Sequence, residues 1–175
     1  LKVKDFLFLD NKNVVSVLGE SIYERNALLF QILKEMKRGI YFSFYNNYFI
    51  YKFLNKNYNL NIYLAKFNTP INLIDGVAIS IIKYRPRIII IDSINKLYLL
   101  SKNYIDISLP LVTIRSFSKT VKFLLVWEGN PMYLLYNKLL RYFSDGIFVI
   151  RKNYIESNGR ICKFKVISGG VLGCI

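Results

Sequence analysis

Gly19 to Asn26 reads Gly-Glu-Ser-Ile-Tyr-Glu-Arg-Asn, a run with the spacing of a phosphate-binding loop and little of its chemistry. Such a loop is Gly-x-x-x-x-Gly-Lys-[Ser/Thr]. Its glycines let backbone N–H groups curl around phosphate, its lysine reaches the outer phosphates, and its hydroxyl holds Mg²⁺. In this register Gly19 matches, Glu24 replaces the second glycine, Arg25 the lysine and Asn26 the hydroxyl residue. Glu24 lacks glycine's access to left-handed backbone, and it adds a carboxylate beside Glu20 where a polyanion would sit. Arg25 can still pair with phosphate, whereas Asn26 is a poor Mg²⁺ ligand. The same residues read equally as an ordinary strand-to-helix turn. The second candidate is Asp92, at the end of the apolar run Arg87–Ser93 (Arg-Ile-Ile-Ile-Ile-Asp-Ser). An acid at such a strand tip holds Mg²⁺ in phosphoryl-transfer sites, or simply caps the next helix.

These residues need a strand, a loop and a helix behind them. Val14–Leu18 is β-branched and aliphatic, and Ala27, Leu29, Phe30, Leu33 and Met36 recur at helical spacing over Asn26–Lys37. Further strands are expected at Ile40–Tyr45, Ile62–Leu64, Ile88–Ile91, Lys122–Val126, Gly146–Ile150 and Cys162–Ile167. Further helices are expected at Asn46–Asn55, Ile71–Tyr84, Leu109–Thr120 and Met132–Tyr142. Ile88–Ile91 is apolar without alternation, the mark of a parallel strand covered on both faces. Alternating strands and helices predict an α/β fold: a mainly parallel central sheet flanked by helices, with antiparallel C-terminal edge strands. The chain has 175 residues and is 53% hydrophobic, which suits one filled core, so residues 1–175 are expected to form a single domain.

Composition excludes several chemistries. The chain has no histidine, which removes Ser-His-Asp and Cys-His nucleophile systems and leaves no metal site in prospect. Cys162 and Cys174 lack metal-ligand spacing; a disulfide is permitted but not implied, and buried reduced thiols are the default expectation. The longest charge-free stretch, Gly39–Tyr51, is well short of the roughly 20 apolar residues a spanning helix needs. Leu1–Asp10 alternates charged and apolar residues, unlike a signal peptide, so no membrane partner and a cytoplasmic location are expected.

The order of these pieces resembles the core of the RecA superfamily, specifically the archaeal RadA, RadB and KaiC-like group. The matching pieces are the strand and loop at Gly19, then Gly39–Tyr45, then Ile-Ile-Ile-Ile-Asp-Ser, then Val121–Gly129. Phe143–Arg151 is similar to that group's "ADGVIVL" strand, and Gly159–Gly169 to its returning edge strand. The resemblance implies a nucleotide site at Gly19, Glu24, Arg25, Asn26 and Asp92, and the chain departs from it. The water-orienting acid falls at Tyr45, Asn46 and Asn47, with no carboxylate between Glu35 and Asp75. The phosphate-sensing amide falls at Trp127 and Glu128. The cradle, the metal hydroxyl and the water-orienting acid are all missing. The expectation is a catalytically inactive RecA-like ATPase homologue with no cofactor.

Charge points to a partner. Lys+Arg 25 against Asp+Glu 11 gives a formal +14, the footprint of a nucleic-acid or acidic-partner binder, although AT-rich codons also enrich lysine. The resemblance places DNA-facing loops at Ser101–Asp106 and Asn130–Arg141. In the second, Tyr133, Tyr136, Lys138 and Arg141 mix stacking surface with cations, or else form an amphipathic helix with Met132, Leu135, Leu139 and Leu140 inward. Arg160, Lys163 and Lys165, after a turn at Ser157–Gly159, form a second basic row or a charged protective edge. Lys83, Arg85 and Arg87 are expected to be solvated at the sheet's lower rim. The reading is a nucleic-acid-binding or assembly module in DNA recombination or repair, with DNA, a RecA-like partner or a second copy as partner. Two alternatives stand beside it. One is a protein-interaction scaffold using Tyr41, Tyr45, Tyr48 and Phe49; the other is an ATP-binding protein with Arg25 in place of lysine.

Overall fold

The computed structural model describes residues 2–19, 21–43, 52, 55–100, 103–128, 134–168 and 170–173. Strands β1 (Val14–Gly19), β2 (Arg38–Ser43), β3 (Asn61–Lys66), β4 (Ile88–Asp92), β5 (Lys122–Glu128), β6 (Gly146–Arg151), β7 (Tyr154–Ser157) and β8 (Arg160–Lys163) form one sheet. Among the described residues its order is β3-β2-β4-β5-β1-β6-β7-β8. Pairing is parallel from β3 to β6 and antiparallel from β6 to β8. β9 (Lys165–Ile167) and β10 (Gly170–Leu172) make a separate antiparallel pair.

The helices are α1 (Val3–Leu7), α2 (Ile22–Met36), α3 (Pro70–Tyr84), α4 (Lys96–Leu100), α5 (Tyr104–Phe117) and α6 (Leu134–Phe143). β4, β5 and β1 are buried on both faces, as crossover helices on either side of a parallel sheet require. Alternation sorts their side chains. Val15, Val17, Ile88, Ile90, Leu124 and Val126 pack with α1 and α2. Val14, Leu18, Ile89, Ile91, Phe123, Leu125 and Trp127 pack with α3, α5 and α6 through Leu73, Val77, Leu111, Ile114 and Leu139. No described helix is long and apolar enough to cross a membrane.

Several boundaries differ from the sequence reading. β7 was not expected; it intervenes between β6 and β8, so β8 pairs with β7 and two turns replace one hairpin. α5 begins at Tyr104 because Asn103 caps it, its side chain accepting from the Asp106 amide at 3.0 Å, and Pro110 lies inside the helix. The helix expected at Asn46–Asn55 falls almost wholly outside the described residues. Cys162 is buried and disulfide-bonded rather than a reduced thiol; the chain's other cysteine, Cys174, lies outside the described residues.

Candidate functional site

The C-terminal ends of parallel strands are where open α/β sheets bind ligands, and register places the candidate residues there. Gly19 pairs with Glu128, and Ser43 with Asp92. Because side chains alternate, Gly19, Tyr41, Asp92 and Glu128 all lie on the face covered by α2. None of the four strands shows this alone; the pairing does.

α2 starts earlier than the loop register requires. Its first residue is Ile22 and Ser21 is its N-cap, so only residues 20 and 21 separate it from β1. The Ser21 hydroxyl donates to the Glu24 carboxylate in a short contact, and the Arg25 amide donates to the Ser21 carbonyl at 3.2 Å. Glu24 and Arg25, expected in a loop before a helix at Asn26–Lys37, are therefore helical. Gly19 does not take a left-handed conformation either. Its missing side chain serves packing, since a Cβ there would lie 3.2 Å from Ile150 Cβ.

Arg25 turns inward. Its side chain is 5% exposed, and its guanidinium donates to the Gly19 carbonyl at 3.2 Å and to the Glu128 carboxylate at 3.3 Å. Glu128 also faces the Lys96 ammonium at 3.7 Å. Asn95 fixes the Glu128 backbone from both sides, donating to its carbonyl at 2.8 Å and accepting from its amide at 2.7 Å. The acid at the expected sensor position is thus the counter-ion of the arginine at the expected lysine position.

Asp92 is buried and accepts a short hydrogen bond from the Tyr41 hydroxyl. Burial pushes its carboxyl pKa up, against the opposing pull of Tyr41 and Arg25. At this edge Arg25 Nε, Asp92 Oδ1 and Ser93 Oγ are buried without a hydrogen-bond partner among the described residues. Tyr41 is itself buried, so it is no part of an exposed aromatic surface; Tyr45, Tyr48 and Phe49 lie outside the described residues.

This arrangement does not fit a nucleoside triphosphate with Mg²⁺. The connection is too short for a cradle of amides, Glu24 already faces the helix N-terminus, and the Arg25 guanidinium is committed to Glu128 and Gly19. A carboxyl whose ionised form is disfavoured is also a poor start for a metal ligand. Among the described residues, no three acid, histidine or cysteine side chains gather to hold a metal.

The proposed nucleic-acid residues are dispersed. Tyr133 and the side chain of Tyr136 lie outside what the structure describes. Lys138 and Arg141 are exposed on α6 while Leu139 is buried, so the helix is amphipathic and its cations are solvated. Arg160 pairs with Asp10 at 3.4 Å. Lys163 and Lys165, both exposed, belong to different sheets, β8 and β9, because Phe164 between them is buried and its amide donates to the Asn153 carbonyl at 2.8 Å. The expected continuous row is therefore broken. The sequence reading missed Tyr41, Asn95 and Lys96 as parts of the Asp92 and Glu128 network. Asn95 and Lys96 sit just past the strand tip, a position that was a readable signal.

Strand order and the ligand edge define a RecA-like α/β fold. A KaiC-like protein from the hyperthermophilic archaeon Pyrococcus horikoshii superposes with a TM-score of 0.70 at 14% identity, covering 92% of this chain and 88% of that one. At that identity the likeness is one of fold. No family model matches the sequence, and no curated protein does.

Proposed function

We propose that this chain is a non-hydrolysing RecA-like module, a paralogue of the archaeal RadA, RadB and KaiC-like group whose phosphate-binding loop has degenerated. In this reading it contributes nucleic-acid binding or assembly to DNA recombination or repair. The observation that carries the reading is the internal Arg25–Glu128 pair, which commits the arginine that would otherwise meet a phosphate. The formal +14 supports an anionic partner. The test is twofold: ATP hydrolysis and ATP-dependent thermal shift of the purified chain, and fluorescence anisotropy of labelled DNA across a salt series. Absent turnover, an unchanged melting temperature and salt-sensitive DNA binding are expected. Turnover or a clear ATP-dependent shift would reinstate the ATP-binding alternative with Arg25 in place of lysine.

The scaffold alternative is favoured by a different observation. Ile71, Ile79 and Ile82 of α3 and Leu109 and Val112 of α5 are large, apolar and exposed, and the two helices pack side by side. A protein that co-purifies without nucleic acid, and is lost on Ile82→Glu, would favour that reading.

A further inference from the structure

The opposite end of the sheet carries an open cleft of about 990 Å³, framed by the N-terminal ends of β2, β4 and β5 and by α1. Six cations line it: Lys4, Arg38, Arg85, Arg87, Lys119 and Lys122. None of the six is in an ion pair among the described residues, in contrast to Arg25, Arg115, Arg151 and Arg160, which all are. Lys122 donates to the Lys12 carbonyl at 2.9 Å and lies over the Phe8 ring, with Asp145 as its acidic neighbour but not in ion-pair contact. Of the two acids in the lining, Asp10 is already shared by Lys12 and Arg160.

Part of this charge has an ordinary explanation. α2, α3 and α5 all end at this rim, and a helix C-terminus carries about half a negative charge, which nearby cations offset. Three such termini neutralise about one and a half charges, and Asp5 one more. The cleft stays positive by several charges.

Register places these cations. Gly39 pairs with Ile88, and Ile88 with Lys122. Arg38 and Arg87 therefore stand side by side at the starts of β2 and β4, about 4.8 Å apart, on the face of α3 and α5. Lys122, in register with Ile88 rather than Arg87, stands at the start of β5 on the face of α1, over Phe8. The rim therefore presents cations from both faces of the sheet to an anion that crosses the strand ends. Burial lowers the Lys122 pKa, a cost that a bound anion would relieve.

We infer that this rim cleft binds the phosphodiester backbone of single-stranded nucleic acid, with Arg38, Arg87 and Lys119 as its exposed phosphate contacts. The ligand class rests on the nucleic-acid reading above; the location does not, and it differs from the loops and edge strands that the sequence suggested. A cleft of about 990 Å³ has the volume for a strand of a few nucleotides, and readout through phosphates alone carries no sequence preference.

The test is anisotropy of a labelled oligodeoxythymidine titrated with the full chain at several salt concentrations, for three proteins. The first is the wild type, the second Arg38→Glu/Arg87→Glu/Lys119→Glu, and the third Lys138→Glu/Arg141→Glu/Lys163→Glu. All six side chains are exposed, and circular dichroism with thermal melts checks that each variant folds. A charge-conserving Arg38→Lys/Arg87→Lys/Lys119→Arg protein serves as a further control. The inference expects the rim reversal to weaken binding at least about 30-fold and to flatten the log–log salt slope by about 2, from three lost contacts at about 0.7 each. The second reversal should cost less than about 3-fold, and the charge-conserving protein should bind nearly as well as wild type. Wild-type binding that survives rim reversal and falls with the other reversal overturns the location and leaves the nucleic-acid reading standing. No wild-type binding at low salt overturns both. Equal competition by inorganic triphosphate and the oligonucleotide at matched phosphate overturns the strand and points to a small polyphosphate ligand.

Discussion

Glu128→Gln removes the carboxylate that faces Arg25 while keeping an amide oxygen of the same shape. Removing one partner of a buried ion pair costs about 3–5 kcal/mol, because the other charge is left buried and uncompensated. Here the cost is smaller. Glu128 is 26% exposed, and Arg25 keeps the Gly19 carbonyl at 3.2 Å, so about 2 kcal/mol is expected. For a domain of this size that is a fall in Tm of about 4–8 °C. Arg25→Met removes the cation and keeps an unbranched apolar chain in its place. The two changes together should therefore cost less than their sum, by about 1–2 kcal/mol of coupling. Urea unfolding followed by the fluorescence of Trp127, the chain's single tryptophan and a buried one next to Glu128, measures all four corners of the cycle. If Glu128→Gln lies within about 0.5 kcal/mol of wild type and the cycle is additive, Glu128 does not hold the guanidinium in solution. Arg25 would then be free to meet a phosphate, and the case for a disarmed site would fail. Nucleotide gives an orthogonal check: saturation at 100 times Kd would add about 2.7 kcal/mol, a Tm rise of about 5–10 °C that this geometry does not expect.

Three further outcomes follow from the same contacts. Burial raises the Asp92 carboxyl pKa above its unfolded value, so the folded state keeps that proton longer and loses stability as pH climbs above about 4. Asp92→Asn, which still accepts from Tyr41, should raise stability by about 1 kcal/mol at pH 7 and change nothing near pH 4; melts at the two pH values decide, and equal effects at both would refute the assignment. Asp145 behaves oppositely. Burial works against its ionised form, but Arg115 at 2.7 Å and the Val14 and Asn13 amides outweigh it and hold the pKa at about 2. Its stabilisation is complete above about pH 4 and is lost as pH falls towards 2. Asp145→Asn should cost about 1 kcal/mol at pH 7 after discounting for solvent and flatten the acid limb of the stability profile; an unchanged acid limb counts against it. Finally, Glu35 accepts from the amides of Val3 at 3.3 Å and Lys4 at 2.8 Å, supplying α1 with the cap its own sequence lacks. Glu35→Ala should speed amide exchange in residues 3–8 at least about 10-fold, the effect of about 1.4 kcal/mol, without a comparable change in β4; protection that stays put would show α1 is held by its apolar face alone.

The sheet was legible where burial leaves no choice of residue. β1, β4 and β5 are apolar runs without alternation, and α3 carries its own start signal in Thr69, which accepts from the Asn72 amide, followed by Pro70. Legibility failed where two local signals compete. Ser21-Ile-Tyr-Glu24 has the spacing of a capping box, which announces a helix at Ile22, yet the same residues fill the variable positions of a phosphate-loop register, and that register pushed the expected helix start to Asn26. α5 was expected from Leu109, although Asn103 caps it earlier and Pro110 lies inside it. β7 is four residues long with mixed burial, and it carries no periodic signal that a turn-rich segment lacks.

What no single segment could show is which residues strand order makes neighbours. Arg38, Arg87 and Lys122 are far apart in the chain and adjacent only because β2, β4 and β5 are. The same order sets Glu128 beside Gly19 and under Arg25. The two ends of the sheet therefore treat charge differently. At the C-terminal end the buried arginine is committed to an internal carboxylate; at the N-terminal end six cations stand outside any ion pair among the described residues. Codon bias toward lysine accounts poorly for the second, because three of the six are arginines, and bias acts on residues without regard to which strands later become neighbours. The anion contact proposed above therefore lies at the rim opposite the edge where this fold usually binds ligands, and its cations stand outside ion pairs among the described residues.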